Sequence, residues 1–217
     1  MTVVQNEEDK STVAGCFTRL CFEGCETSLR PNRPHEASAC RPIAENPSES
    51  MTGGFTHFDE QGAPQMVDVG DKPITRRWAC ASGFVRLAPD ALAMVAQGQI
   101  AKGDVLQVAR LAGITAAKRT SEWIPLAHPL AIDAITMRLS ICEPDGVRIE
   151  SVVKNTAKTG VEMEALTAVS AAALTIYDMC KSLDRSISIE SIQLTEKGGG
   201  RSGVYKRAAS AKPSDTV

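Results

Sequence analysis

Aromatic side chains are scarce, at 4% of the chain, and none falls between Ile132 and Asn155. A sheet that reads single-stranded RNA stacks bases on aromatics of its central strands, so that function is disfavoured. An excess of charge of one sign is also missing. The 24 Lys and Arg stand against 26 Asp and Glu, for a formal net charge of −2, which argues against a dedicated nucleic-acid binder. No apolar run approaches the roughly 20 residues of a membrane span. Glu7, Glu8 and Asp9 come early and no long apolar core follows them, so a secretory signal is not expected and the cytoplasm is. Histidine is limited to His35, His57 and His128, and no His/Cys/acid cluster has ligand spacing, so no metal and no cofactor are expected. Four of the seven cysteines, Cys16, Cys21, Cys25 and Cys40, precede residue 54. Their spacing fits neither a zinc ribbon nor a radical-type iron–sulfur motif, and reduced thiols are the expectation. There is no Ser–His–acid pattern with an elbow motif, and the glycine-rich run KGGGRSG from Lys197 does not match a P-loop.

What is present is an ordinary globular composition, 43% apolar and 23% charged over 217 residues, enough for one domain and an appendage. Residues 1–54 hold Pro31, Pro34, Pro42 and Pro47 without sustained periodicity and read as a disordered or loosely packed extension. Met51 is a candidate second start. A folded domain is expected over 55–206 and a mobile tail over 207–217. Within the domain the patterns predict a short strand at Gln65–Val69 and a long one from Ile74 to Leu87. Helices are expected from Ala91 to Gln97, closed by Gly98, and from Asp104 to Thr120. A hairpin pairs Ile132–Cys142 with Val147–Asn155 around Pro144-Asp145-Gly146. A long helix runs from Val161 with Thr159 as its cap, and a last strand spans Ile187–Leu194 with a phase slip near Ser191. From Ile74 the order is strand, helices, strand, strand, helix, strand. That is the α+β, ferredoxin-like (split βαβ) pattern, an antiparallel sheet with its helices on one face. Its other face remains to be covered, and an oligomer is the usual remedy.

The long helix, KTGVEMEALTAVSAAALTIYDMCK from Lys158 to Lys181, is apolar almost all round and therefore buried. Its polar residues Glu164, Thr167, Ser170, Thr175, Asp178 and Lys181 fall on one stripe about 140° wide. A solvated stripe is the plain explanation; a cavity wall is the alternative, because the stripe is small hydroxyls ending in one acid and one base. Asp178 and Lys181, three apart, are neighbours on the helix surface. Three further groups carry possible chemistry. His128 stands in a loop between Pro125 and Pro129 that holds its backbone in place. Lys102 opens the second helix. Lys197 and Arg201 flank glycines whose backbone N–H groups can cradle an anion. Lys118, Arg119, Lys154 and Lys158 add positive charge for a polyphosphate, although Lys118 and Arg119 are also explained by the C-terminal dipole of their own helix.

The runs MVDVG, KGDVLQVARLAGITAAKRT, IPLAHPL, KTGVEMEALTAVSAAALTIYDMCK and EKGGGRSG, in this order between about Phe55 and Tyr205, closely resemble the molybdenum-cofactor biosynthesis protein C family, the cyclic pyranopterin monophosphate synthases. The resemblance implies a ferredoxin-like fold and a hexamer built as a trimer of dimers, with the site at a subunit interface. It also implies conversion of 3′,8-cyclo-7,8-dihydro-GTP to cyclic pyranopterin monophosphate with release of pyrophosphate. By the same resemblance the active-site acid falls on Asp178 and the essential lysines on Lys102 and Lys181. Substrate contacts fall on Leu126, Ala127 and His128 and on Met163 and Glu164. Many relatives have Cys where this chain has Ala127, so a thiol there is not required if the activity holds. Proton transfers in the guanine-derived rings suit a His or a Lys of lowered pKa, with Lys118, Arg119, Lys154, Lys197 or Arg201 stabilising the leaving pyrophosphate. The competing class is a non-catalytic nucleotide-binding regulatory module, since fold alone does not specify activity.

Overall fold

The computed structural model describes residues 61–208. The expectations for the N-terminal extension, Met51 and most of the C-terminal tail lie outside them. Within this span lie β1 (Thr75–Arg86), α1 (Pro89–Ala96), α2 (Val105–Ala117) and α3 (Thr120–Trp123), followed by β2 (Ala134–Cys142) and β3 (Gly146–Ala157). After these come α4 (Glu162–Cys180), β4 (Ser188–Gly198) and β5 (Tyr205–Lys206). The strands form one antiparallel sheet in the order β2-β3-β1-β4-β5. β3 lies between β1 and β2, and β1 between β3 and β4, so each strand–helix–strand half is split by a strand of the other. This is the α+β arrangement that the residue patterns predict.

Alternation divides the side chains between the two faces. Ala79, Ala81 and Val85 of β1 and Val147, Ile149 and Val153 of β3 turn inward and are almost wholly buried with Ala165, Ala168, Val169, Ala172 and Ile176 of α4. The central helix crosses β1, β3 and β4 and packs most extensively on α2. Small residues set that spacing. A Cβ on Gly113 of α2 would sit 2.7 Å from the Ala168 carbonyl oxygen of α4 and 2.4 Å from Met137 Sδ of β2. On the opposite face a smaller cluster, Cys80 and Val152 beside Trp78, is buried separately.

The departures from expectation are local. Gln65–Val69 is not a strand; Asp68 Oδ1 accepts from Gly70 N at 2.7 Å, and this side-chain turn bends the chain instead. The second helix stops at Ala117, with Lys118 at its end, and Thr120–Trp123 forms a separate turn of helix. Asp104 is its N-cap, accepting from Leu106 N and Gln107 N. Thr159 does not cap α4, which starts at Glu162 with Val161 as N-cap and no capping side chain. The phase slip is at Ser191, whose φ of 53° accompanies shifts of register against β1. β4 then continues through Glu196 and Lys197 to Gly198, farther than the apolar alternation reaches. Cys142 and Cys180 are free thiols, whereas Cys80 is disulfide-bonded, so reduced thiols throughout is not what the fold holds. Among the described residues no helix is long and apolar enough to cross a membrane.

Candidate active site

Asp178, Lys181 and Lys102 come together at the C-terminal end of α4. Lys181 Nζ donates to Asp178 Oδ1 at 2.6 Å, one turn along the helix. Lys102, on the loop before α2, donates to the Asp178 backbone carbonyl at 2.8 Å and stands 3.8 Å from Asp178 Oδ2. The antiparallel packing of α2 against α4 is what delivers Lys102 there, 76 residues away in sequence. The side chains of all three are about half exposed, at 62%, 54% and 47% for Asp178, Lys181 and Lys102. The hydrogen bond from Lys181 and the charges of both lysines hold the Asp178 carboxyl below the usual range. Asp178 in turn raises Lys181, first through that hydrogen bond and then through its charge. The expectation of a catalytic Lys with a lowered pKa therefore fails at Lys181, because its nearest partner is a carboxylate. Lys181 is thereby held in its protonated form, with Asp178 as its counter-charge.

A second group gathers at the other end of α4. Glu164, in the first turn, is 4% exposed. Burial pushes its carboxyl up to about 7, with its own backbone N–H opposing the shift and the Glu162 charge adding to it. Met163 beside it is exposed. Lys197 Nζ donates to Glu162 Oε1 at 2.8 Å, both side chains being 30% exposed. This pair joins the end of β4 to the start of α4. Glu162 lies off the polar stripe and carries no sequence signal for the role; only the length of β4 brings Lys197 to it. Arg77, also unremarked in the sequence, donates to the carbonyls of Ala157 and Lys158 and so fixes the loop into α4. Lys158 Nζ donates to the Gly70 carbonyl at 2.5 Å. The turn after β4 packs on the same arginine: a Cβ on Gly200, at φ 71°, would lie 2.2 Å from a guanidinium nitrogen of Arg77.

The chain that leaves the His128 loop is tied to the end of β3. Leu126, Ala127 and His128 are half-buried between α3 and β2. Asp133 N donates to the Lys154 carbonyl, and Thr156 Oγ1 to Asp133 Oδ2, where β3 runs out toward α4. Lys118 closes α2 on the same side, since α2 runs antiparallel to α4. The remaining cations are paired, turned away or exposed. Arg119 is held by Glu122 at 2.9 Å, which raises its pKa. Lys154 sits opposite Trp78 on the sheet face turned away from the helices. Arg201 is exposed at the rim of an open cavity of about 410 Å³ shared with Asp68, Asp71, Lys72 and Pro73. The polar stripe of α4 is thus neither uniformly solvated nor one cavity wall. Glu164 and Thr167 are buried, Ser170 and Thr175 bond back to the carbonyls of Leu166 and Ala171, and Asp178 and Lys181 are exposed.

The MoaC family model matches residues 66–200. The chain is 59% identical over 156 residues to cyclic pyranopterin monophosphate synthase 1 of Mycobacterium tuberculosis (strain ATCC 25618 / H37Rv), covering 72% of this chain and 92% of that protein. It is 56% identical over 155 residues to the cyclic pyranopterin monophosphate synthase of Dinoroseobacter shibae, covering 70% and 98%. With that of Heliobacterium modesticaldum the identity is 59% over 154 residues, covering 70% and 97%.

Proposed function

The chain belongs to the MoaC family, and from that membership we propose that it is a cyclic pyranopterin monophosphate synthase, a cytoplasmic lyase of molybdenum-cofactor biosynthesis. It converts 3′,8-cyclo-7,8-dihydro-GTP to cyclic pyranopterin monophosphate and releases pyrophosphate. The observation that carries the reading is the convergence of Lys102 and Lys181 on Asp178, two cations on one carboxylate at the end of a buried helix. Lys181, with its raised pKa, serves as general acid and as a positive charge for the developing anion. Glu164, whose carboxyl titrates at about 7, is the group poised to take and return a proton at neutral pH. Lys197, held by Glu162, and Lys118 at the end of α2 are the cations we assign to the polyphosphate.

Two copies are needed for this chemistry. Glu164 and Asp178 are 14 residues apart on one straight helix, about 21 Å at 1.5 Å per residue. Proton-transfer groups must come within hydrogen-bond reach of the same ring system, which the two ends of α4 in one chain cannot do. As the resemblance implies a site between subunits of a homohexamer, we assign the active unit to the Asp178 end of one subunit set against the Glu164 end of another.

The test is turnover of the cyclic dihydro-GTP substrate by the purified protein, compared with Lys181→Ala and Asp178→Asn. Loss of at least about 10²-fold in kcat for Lys181→Ala, the size expected of a proton-transfer group, with the oligomer intact, is the expected result. Binding of the nucleotide without turnover by the parent protein would favour a regulatory module instead.

A further inference from the structure

Asp184 lies in the turn after α4, 8% exposed, and its two carboxylate oxygens serve different parts of the chain. Oδ1 accepts from Ser186 N at 2.7 Å and from Ser186 Oγ at 2.6 Å, an ordinary local turn. Oδ2 accepts from Ala88 N at 2.7 Å, 96 residues away in sequence. Ala88 is the N-cap of α1 and has no polar side chain with which to cap it. The Asp184 carboxylate takes that part, and its charge suits the positive end of the helix. The Ser186 hydroxyl first, and then the Ala88 N–H, hold this carboxyl below the usual range.

The loop that leaves α1 carries Lys102. Residues 88–102 therefore stand on the end of α4 at two points, Asp184 where the segment starts and Asp178 where it finishes. Between them Ala91, Leu92 and Val95 of α1, and then Ile100, are buried in the core. Gly98 and Gly103, at φ 65° and 100°, bound the loop, so the loop supplies little stiffness of its own. Cys180, wholly buried, feels the charges of both Lys102 and Asp184 in opposite senses, which sets the two points close together. We propose that Asp184 is a positioning residue for Lys102: by capping α1 it fixes the segment to the end of α4 and holds the Lys102 ammonium against Asp178. The packing of α2 brings Lys102 to that end from one side, and α1 fixes it from the other. A residue that only formed the turn with Ser186 would need one oxygen; the second is spent on α1. The inference rests on the reading of Lys102 as a site residue only for its effect on turnover.

The experiment compares the full chain as parent, Asp184→Asn, Ala88→Pro and Lys102→Ala, with circular dichroism to verify folding. Ala88→Pro removes the donor and leaves the Ser186 turn intact, and φ −60° at Ala88 is already that of proline. The first readout is trace labelling of amines with acetic anhydride, followed at Lys102 by mass spectrometry. Both Asp184→Asn and Ala88→Pro are expected to raise the labelling rate of Lys102 about two- to fivefold, the size of a lost exposed ion pair, with Lys206 unchanged. The second readout is turnover of the cyclic dihydro-GTP substrate, where kcat is expected to fall about ten- to a hundredfold as Lys102 is misplaced, with KM held. Combining Ala88→Pro with Lys102→Ala is expected to lower kcat no further than Lys102→Ala alone, because the cap then has nothing to position. Unchanged labelling of Lys102 in both variants overturns the proposal. So does a loss in kcat that multiplies with that of Lys102→Ala, which is what a merely structural cap gives. An effect of Asp184→Asn that Ala88→Pro does not share traces it to the Ser186 turn and likewise overturns it. A parent without turnover overturns the assigned function instead, and the labelling still decides what holds Lys102.

Discussion

At the scale of single residues, the two ends of α4 differ in what burial does to an acid. Asp178 is exposed and paired, so its charged form is favoured. Glu164 is buried and its neutral form is favoured, with a carboxyl at about 7 against an ordinary 4.5. The folded chain therefore holds a proton on Glu164 that the unfolded chain has released, and stability falls as pH rises from about 4.5 to about 7. The full penalty, up to about 3 kcal/mol, applies above that range. Glu164→Gln keeps the shape and removes the titration. It is expected to raise the thermal midpoint above pH 7, leave it unchanged near pH 4, and abolish any limb of the pH–rate profile centred near 7. A parent and variant with parallel midpoints from pH 4 to 8 would mean that Glu164 is ionised in the fold and is not the proton carrier.

At the scale of elements, the antiparallel pair α2 and α4 positions everything else. It places Lys102 beside Asp178 and Lys118 at the Glu164 end, and its close approach depends on Gly113. Gly113→Val would force a side chain into the Ala168 carbonyl and Met137. The expected cost is about 1–3 kcal/mol, seen as a lower denaturant midpoint, together with a loss of activity out of proportion to the loss of fold as Lys102 withdraws. A Gly113→Val chain as stable and active as its parent would show that the helices part without consequence. Most of the elements are legible in the residue order: the long strand, the hairpin, both long helices and even the bulge at Ser191 follow from periodicity and turn chemistry. So is the pair Asp178/Lys181, because a helix repeats every 3.6 residues. Contacts between distant segments are not. Glu162 with Lys197 and Arg77 with the loop at Lys158 both depend on the register of strands that the sequence does not print. The missed cap at Thr159 and the absent strand at Gln65–Val69 are boundary effects, decided by one side-chain turn or one residue of helix.

At the scale of the whole molecule, the site residues inferred by resemblance form one set in sequence and two groups in space. If one chain held a complete site, damage to either group would be final within that chain. If each site borrows one group from each of two copies, the damage is separable. Lys181→Ala spoils only the Asp178 end, and Lys197→Ala only the Glu164 end. In an oligomer of either variant every site has one defective half. In oligomers reassembled from an equal mixture, random pairing gives about one quarter of the sites an intact half from each chain. The expected result is that two nearly inactive proteins, dissociated and reassembled together, recover roughly that fraction of the parent's turnover, while each reassembled alone recovers none. No recovery in mixed oligomers, verified as mixed by mass, would place both groups in the service of one chain. The 21 Å that separates them along α4 would then have to be spanned by the substrate itself.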